Sequence, residues 1–88
     1  MKGIITVLGK DQVGIIAAVC TYLSNNGINI LDVSQTIVQG FFNMMMIVDM
    51  SDVENFSGMS DSLNEIGLQF NVRIQLQHED IFNAMHRI

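Results

Sequence analysis

Proline and tryptophan are absent from the 88 residues, cysteine and tyrosine occur once each, and lysine and arginine together number only four. A single cysteine, Cys20, excludes an intrachain disulfide. Its apolar neighbours predict a buried thiol, suited to a reducing compartment. Lys2, Lys10, Arg73 and Arg87 are scattered along the chain, and nine acidic residues bring the formal net charge to −5. With no basic stripe to neutralise phosphates, neither nucleic acid nor an anionic membrane surface is an expected partner. No apolar run approaches the roughly 20 residues of a membrane-spanning helix. The N-terminus, MKGIITVLGKDQ, has too short an apolar core for a signal peptide. A cytoplasmic protein is therefore expected.

What the chain has in quantity is apolar side chains: 49% of residues against 15% charged. That balance excludes disorder. A domain of this size buries only about 60–65% of its unfolded surface, so some apolar surface is expected to be covered by a partner, most simply a second copy.

The strand-like run KGIITVLG, residues 2–9, carries apolar groups on both faces and predicts a central strand. A helix over about 12–26 follows, capped by Asp11, with Val13, Ile16, Ala17, Cys20 and Leu23 as its apolar stripe and Gly27 just past its end. Residues 28–38, INILDVSQTIV, read as a second strand whose faces are both mixed. Gln39-Gly40 predicts a tight turn. Residues 41–50, FFNMMMIVDM, predict a third strand, again apolar on both faces and hence central. Ser51-Asp52-Val53-Glu54 matches a capping box, which predicts a second helix running to about 66 and ended by Gly67. Residues 68–77, LQFNVRIQLQ, alternate throughout and predict an edge strand. Asp80 is placed to cap a last short helix over 81–87. The order β-α-β-β-α-β predicts an α+β, ferredoxin-like fold: a four-stranded antiparallel sheet with both helices on one face. Right-handed crossovers put the first and third strands in the middle. The uncovered sheet face is expected to show Ile5, Val7, Met45 and Ile47, or their neighbours if the register slips. That face or the edge of the first helix is the expected dimer surface.

The glycine-bearing turn GKDQVGI, residues 9–15, invites a phosphate-binding reading. Gly9 and Gly14 have the first spacing of a P-loop, but Ile15 and Ile16 replace its lysine and hydroxyl, which removes nucleoside triphosphates. Gly14 in a first helical turn would still let a small anion approach unpaired amides. The local sequence favours the plainer reading, that it only allows close packing against the second strand.

Asp11-Gln12-Val13-Gly14-Ile15 resembles the D-x-x-G-I signature of ACT domains, and Gly27-Ile28-Asn29-Ile30 resembles the G-x-N-I continuation of that family. The element order matches as well, over residues 2–77, and the ending HEDIFNAMHRI resembles that of small stand-alone ACT proteins of prokaryotes. The resemblance implies an ACT-like domain over 1–79 with a helical tail over 80–88. It implies a non-catalytic regulatory module that binds an amino acid or related metabolite between two subunits and acts on a separate regulated protein. The ligand site it implies takes the first loop of one subunit, Lys10, Asp11, Gln12, Val13, Gly14 and Ile15, and the start of the second strand of a partner, Asn29, Ile30 and Leu31. Gln12-Val13 stands where many relatives carry a basic residue and proline. Asp11 can serve as helix cap or ligand contact, and Asn29 as loop brace or ligand contact. A protein-binding adaptor without a metabolite is the alternative.

No cofactor, metal or catalytic residue is expected. His78 and His86 do not have H-x-x-x-H spacing, and Cys20 has no adjacent base to activate it. Strand alternation separates Met45 from Met44 and Met46, so the methionines read as core and interface filler rather than as a copper site.

Overall fold

A computed structural model describes residues 1–10 and 14–80. Along the chain it runs β1 (Lys2–Lys10), α1 (Ile15–Asn25), β2 (Ile30–Val38), β3 (Phe41–Asp49), α2 (Phe56–Phe70) and β4 (Arg73–His78). The sheet order is β2-β3-β1-β4, with every neighbouring pair antiparallel. The two strands with apolar residues on both faces are indeed the central ones.

The core lies between the sheet and the helices. Strand β3 supplies Phe42, Met44, Met46 and Val48, β1 supplies Ile5 and Val7, and β4 supplies Ile74 and Leu76. These pack against Ile15, Val19 and Leu23 of α1 and Met59 and Leu63 of α2. No buried side chain among the described residues is polar, so hydrophobic burial alone holds the layers together. The helix-facing stripe of α1 is therefore one residue out of phase with the expected one. Ile16 and Ala17 are exposed and Cys20 is only half-buried, while Val13 lies outside the described residues. The phase follows from the helix beginning at Ile15, whose side chain enters the core. Ile5 and Val7 also face the helices, so the open face shows Leu8 and Phe41 beside Met45.

Local chemistry fixes the turns. Gln39 and Gly40 both have positive φ, 52° and 82°, which is the type I′ hairpin that matches strand twist. Helix α1 ends in a Schellman motif: the Ile28 N–H donates to the Leu23 carbonyl at 2.9 Å and the Gly27 N–H to Ser24 at 3.1 Å. Gly27, at φ 67°, supplies the left-handed residue it needs.

The second helix departs from expectation at both ends. Ser51 does not cap it. Instead the Ser51 amide and hydroxyl both donate to the Asp49 carboxylate, at 2.9 and 2.6 Å. The cap is Asn55, whose Oδ1 accepts from the Gly58 N–H at 3.0 Å. Gly67 does not end the helix but sits buried within it. A Cβ there would lie 2.7 Å from the Val72 carbonyl oxygen. The helix stops four residues later, at Asn71 with φ 55°. Leu68 and Phe70 are thus helical, Leu68 being 82% exposed, and β4 is confined to residues 73–78. At the end of β4, Glu79 and Asp80 are already helical, so Asp80 does not precede that helix. The remaining tail, 81–88, lies outside the described residues.

Two outcomes follow from these contacts. The Ser51 hydroxyl, and then its amide, hold the Asp49 carboxyl below the usual carboxylate range. A group with a lowered folded-state pKa stabilises above the unfolded value and loses that contribution as pH falls through the lowered one. Ser51→Ala should therefore raise the Asp49 titration midpoint, read by NMR, and reduce the acid sensitivity of stability in that range. Gly67→Ala should destabilise, although alanine is the better helix former, because the added methyl meets backbone. We expect a loss of about 1–3 kcal/mol, seen as a lower thermal midpoint.

Candidate functional site

Strand β1 ends at Lys10, which pairs with Phe41, and Phe41 pairs with Val38. The end of β1, the β2–β3 hairpin and the start of α1 therefore share one end of the sheet. At that end, Gly14 is the N-cap of α1 with φ 92° and ψ −6°. It offers no side chain to the first turn, which holds no acidic residue. The amides of Ile15, Ile16 and Ala17 have no intrahelical acceptor. The exposed Lys10 ends β1 at this same end of the sheet. Ile15 is 1% exposed as a whole residue and belongs to the core, whereas Ile16 and Ala17 are exposed. Among the described residues, the group facing Gly14 is the Phe70 ring of α2: a Cβ on Gly14 would stand 3.6 Å from it. The second strand, expected there, is not the neighbour. Asp11, Gln12 and Val13, with the capping role expected of Asp11, lie outside the described residues.

Asn29, Ile30 and Leu31 lie elsewhere. Ile30 pairs with Val48, which pairs with Gly3, and this places the start of β2 at the opposite end of the sheet. The Asn29 carbonyl accepts from the Asp49 N–H at 2.9 Å, tying the entry of β2 to β3. The register then skips from Ile30 to Asp32, leaving Leu31 in a β-bulge, 51% exposed. Eleven residues of α1, at about 1.5 Å each, span roughly 16 Å between the two groups. Within one chain the described residues of the two halves, Lys10, Gly14 and Ile15 against Asn29, Ile30 and Leu31, do not meet.

The feature that sequence reasoning undervalued is β2 itself. All nine of its residues are exposed, and among the described residues no strand pairs with its outer edge. Ile30, Val33 and Ile37 occupy register positions opposite the buried Val48, Met46 and Phe42, yet the helices do not cover them. Ile16 of α1 is 39% exposed on the helix layer. A shallow groove of about 250 Å³ runs between α1 and β2, lined by Cys20, Ser24, Gly27, Ile28, Asn29 and Ile30. The mixed faces of INILDVSQTIV were the signal: an edge strand with apolar residues on both sides is one that expects a neighbour.

The ACT domain family matches residues 3–77 of the chain. A UPF0237 protein of Bifidobacterium longum is 56% identical over 88 residues, covering 99% of this chain and 98% of that one. An ACT domain protein from Streptococcus pneumoniae has the same fold at a TM-score of 0.83 with 40% identity, covering 98% of each chain. The regulatory subunit of aspartate kinase from Thermus thermophilus shares the fold at a TM-score of 0.67, with 20% identity over 86% of this chain and 50% of that one.

The geometry at Gly14 yields a prediction. A left-handed residue outside the helix gains nothing from helix propensity, and a Cβ in that region costs about 1–2 kcal/mol. Gly14→Ala should therefore lower the thermal midpoint of the unliganded protein, contrary to what a first-turn position implies. Gly14→Asn should lower it less, because asparagine tolerates that conformation.

Proposed function

The chain belongs to the ACT domain family, whose members are regulatory modules that bind small molecules, and on that premise we propose that it is a non-catalytic sensor of an amino acid or related metabolite that works as a homodimer. The observation that carries this reading is the separation of the two site halves. Let β2 of one copy pair antiparallel with β2 of another about a two-fold axis. The start of one β2 then lies beside the end of the other. Asn29, Ile30 and Leu31 of each copy come to the end of the sheet where the partner's Lys10 and Gly14 stand. The unpaired ladder edge is satisfied by the same step, and the apolar residues of β2 and the flank of α1 are covered. A two-fold contact is isologous, so it closes and forms two equal sites.

In such a site a ligand carboxylate lies against the first-turn amides of α1 and the Lys10 ammonium. Its remainder lies against the partner's strand. Because both copies touch the ligand, occupancy and assembly are coupled, and that coupling is what a separate regulated protein would read.

The test is a thermal-shift screen of the twenty amino acids and their 2-oxo acids, followed by sedimentation. A ligand at one hundred times its Kd stabilises by about 2.7 kcal/mol, so a saturable rise in the midpoint is expected from at least one compound. Absence of any shift across the panel would favour a protein-binding adaptor. For assembly, Val33→Lys puts a charge into the covered β2 flank and should dissociate the dimer. Met45→Lys, on the open sheet face, and Arg73→Ser, on the same face, should not. Wild-type sedimentation by Val33→Lys would remove β2 from the interface.

A further inference from the structure

We infer that residues 81–88, IFNAMHRI, which lie outside the described residues, dock across the Ile4–Ile47 half of the open sheet face of their own chain and close it. The contact does not depend on the two-copy site proposed above. A gradient of burial along that face carries the argument. Strand alternation puts Ile4 on the side opposite Ile5 and Val7, and Ile4 takes no part in the core between the sheet and the helices. Even so, it is 4% exposed. Leu8, on the same strand and the same face, is 52% exposed. Both are flanked on each side: Ile4 by Ile47 and Gln77, Leu8 by Asn43 and Arg73. Lateral shielding therefore does not separate them, and a cover over one end does. Between the two, Met45 opposite Thr6 is 38% exposed, whereas Ile47 opposite Ile4 is half-buried.

The end of the chain is placed to supply that cover. Strand β4 stops at His78, which pairs with Gly3, and Gln77 pairs with Ile4. The chain therefore leaves the sheet beside the buried isoleucine, and it turns helical at once, at Glu79 and Asp80. From β4 across β1 to β3 is two strand spacings, roughly 10 Å. Eight further residues in a helix, at about 1.5 Å each, span roughly 12 Å. Ile81, Phe82, Met85 and Ile88 recur at helical spacing, a stripe that needs hydrocarbon to bury against. The segment carries one arginine and no carboxylate, so no like-charge repulsion opposes its docking on a chain of net charge −5. The two-residue tether, Glu79 and Asp80, holds it at a high effective concentration, so its own chain outcompetes a second copy for this surface.

The experiment is methyl NMR of the full chain. Nuclear Overhauser contacts are expected from the Phe82 ring and the Met85 methyl to the methyls of Ile4 and Ile47, and none to Leu8. In a sample mixed from labelled and unlabelled copies, these contacts should stay within one copy. The energetic check is a double-mutant cycle on the full chain at fixed concentration. Ile4→Ala should lower the thermal midpoint by about 4–8 °C or more. Phe82→Ala should lower it too, and the two together should lose less than the sum of the single losses. Leu8→Ala, at the uncovered end of the same strand, should add to Phe82→Ala in full. Where Ile4→Ala does not fold, Ile4→Val takes its place in the cycle. Absence of contacts from residues 81–88 to Ile4 and Ile47, or full additivity of the Ile4 and Phe82 changes, overturns the inference. Contacts seen only between copies overturn it as well, since the cover would then be the tail of a partner.

Discussion

Val72 is the wedge on which the arrangement of layers depends. Two glycines meet it. A Cβ on Gly9 of β1 would stand 2.8 Å from its Cγ1, and a Cβ on Gly67 of α2 would stand 2.7 Å from its carbonyl oxygen. The Val72 N–H in turn donates to the Gly67 carbonyl at 2.9 Å. Helix α2 is thereby drawn tightly onto the β1–β4 side of the sheet, where Gly67 also approaches Ile74. The helical layer sits off-centre as a result. Strands β3, β1 and β4 are covered on one face, and β2 is left outside. The exposure of β2, on which the proposed assembly and site both rest, starts from this close contact at the opposite edge.

The same corner explains where sequence reasoning stopped short. LQFNVRIQLQ alternates so regularly that a strand over 68–77 satisfies every local rule. What overrides it is tertiary: Gly67 fits only because α2 continues past it and packs on Val72, and Asn71 can take the left-handed turn that ends the helix. Ser51 failed as a cap for a comparable reason. Asp49, two residues back, competes for its hydroxyl and amide, and Asn55 can cap a helix that begins later. Neither competition is visible in a window that considers one motif at a time. By contrast, the double-faced apolar pattern of β3 and the Gln39-Gly40 turn need only nearest-neighbour chemistry, and both were legible. So was the strand order, because right-handed crossovers put the first and third strands in the middle and both carry apolar residues on two faces.

The candidate site was legible in a different way. Composition and spacing reached only a glycine-bearing turn that could accept an anion or merely pack. The family resemblance supplied Asn29, Ile30 and Leu31, which no local rule connects to residues 10–15. The fold supplies the reason they had to be found separately: α1 stands between them. The bulge at Leu31 is beyond periodicity altogether, since INILDVSQ reads equally well with or without one skipped pairing. Gly14 was found for the wrong position. A first-turn glycine and a left-handed cap look alike in sequence, yet they answer oppositely to alanine.

A chain this small must choose where to spend its apolar side chains. Here β2 forgoes burial in the monomer, and the proposed dimer recovers that burial together with the ladder hydrogen bonds of the free edge. A ligand held between Lys10 and Gly14 of one copy and the β2 start of the other touches a surface that exists only when both are present. It therefore binds the pair better than the single chain, and by linkage it must strengthen the pair by the same factor. Two equal sites on one closed two-fold interface share that interface, so the first ligand to bind stabilises the assembly the second requires. In the proposed dimer, a ligand shifts the balance between pair and single chain only by its preference for the pair, whatever its affinity. Sensing in such a molecule needs no moving domain. It needs only an interface whose stability the ligand can change.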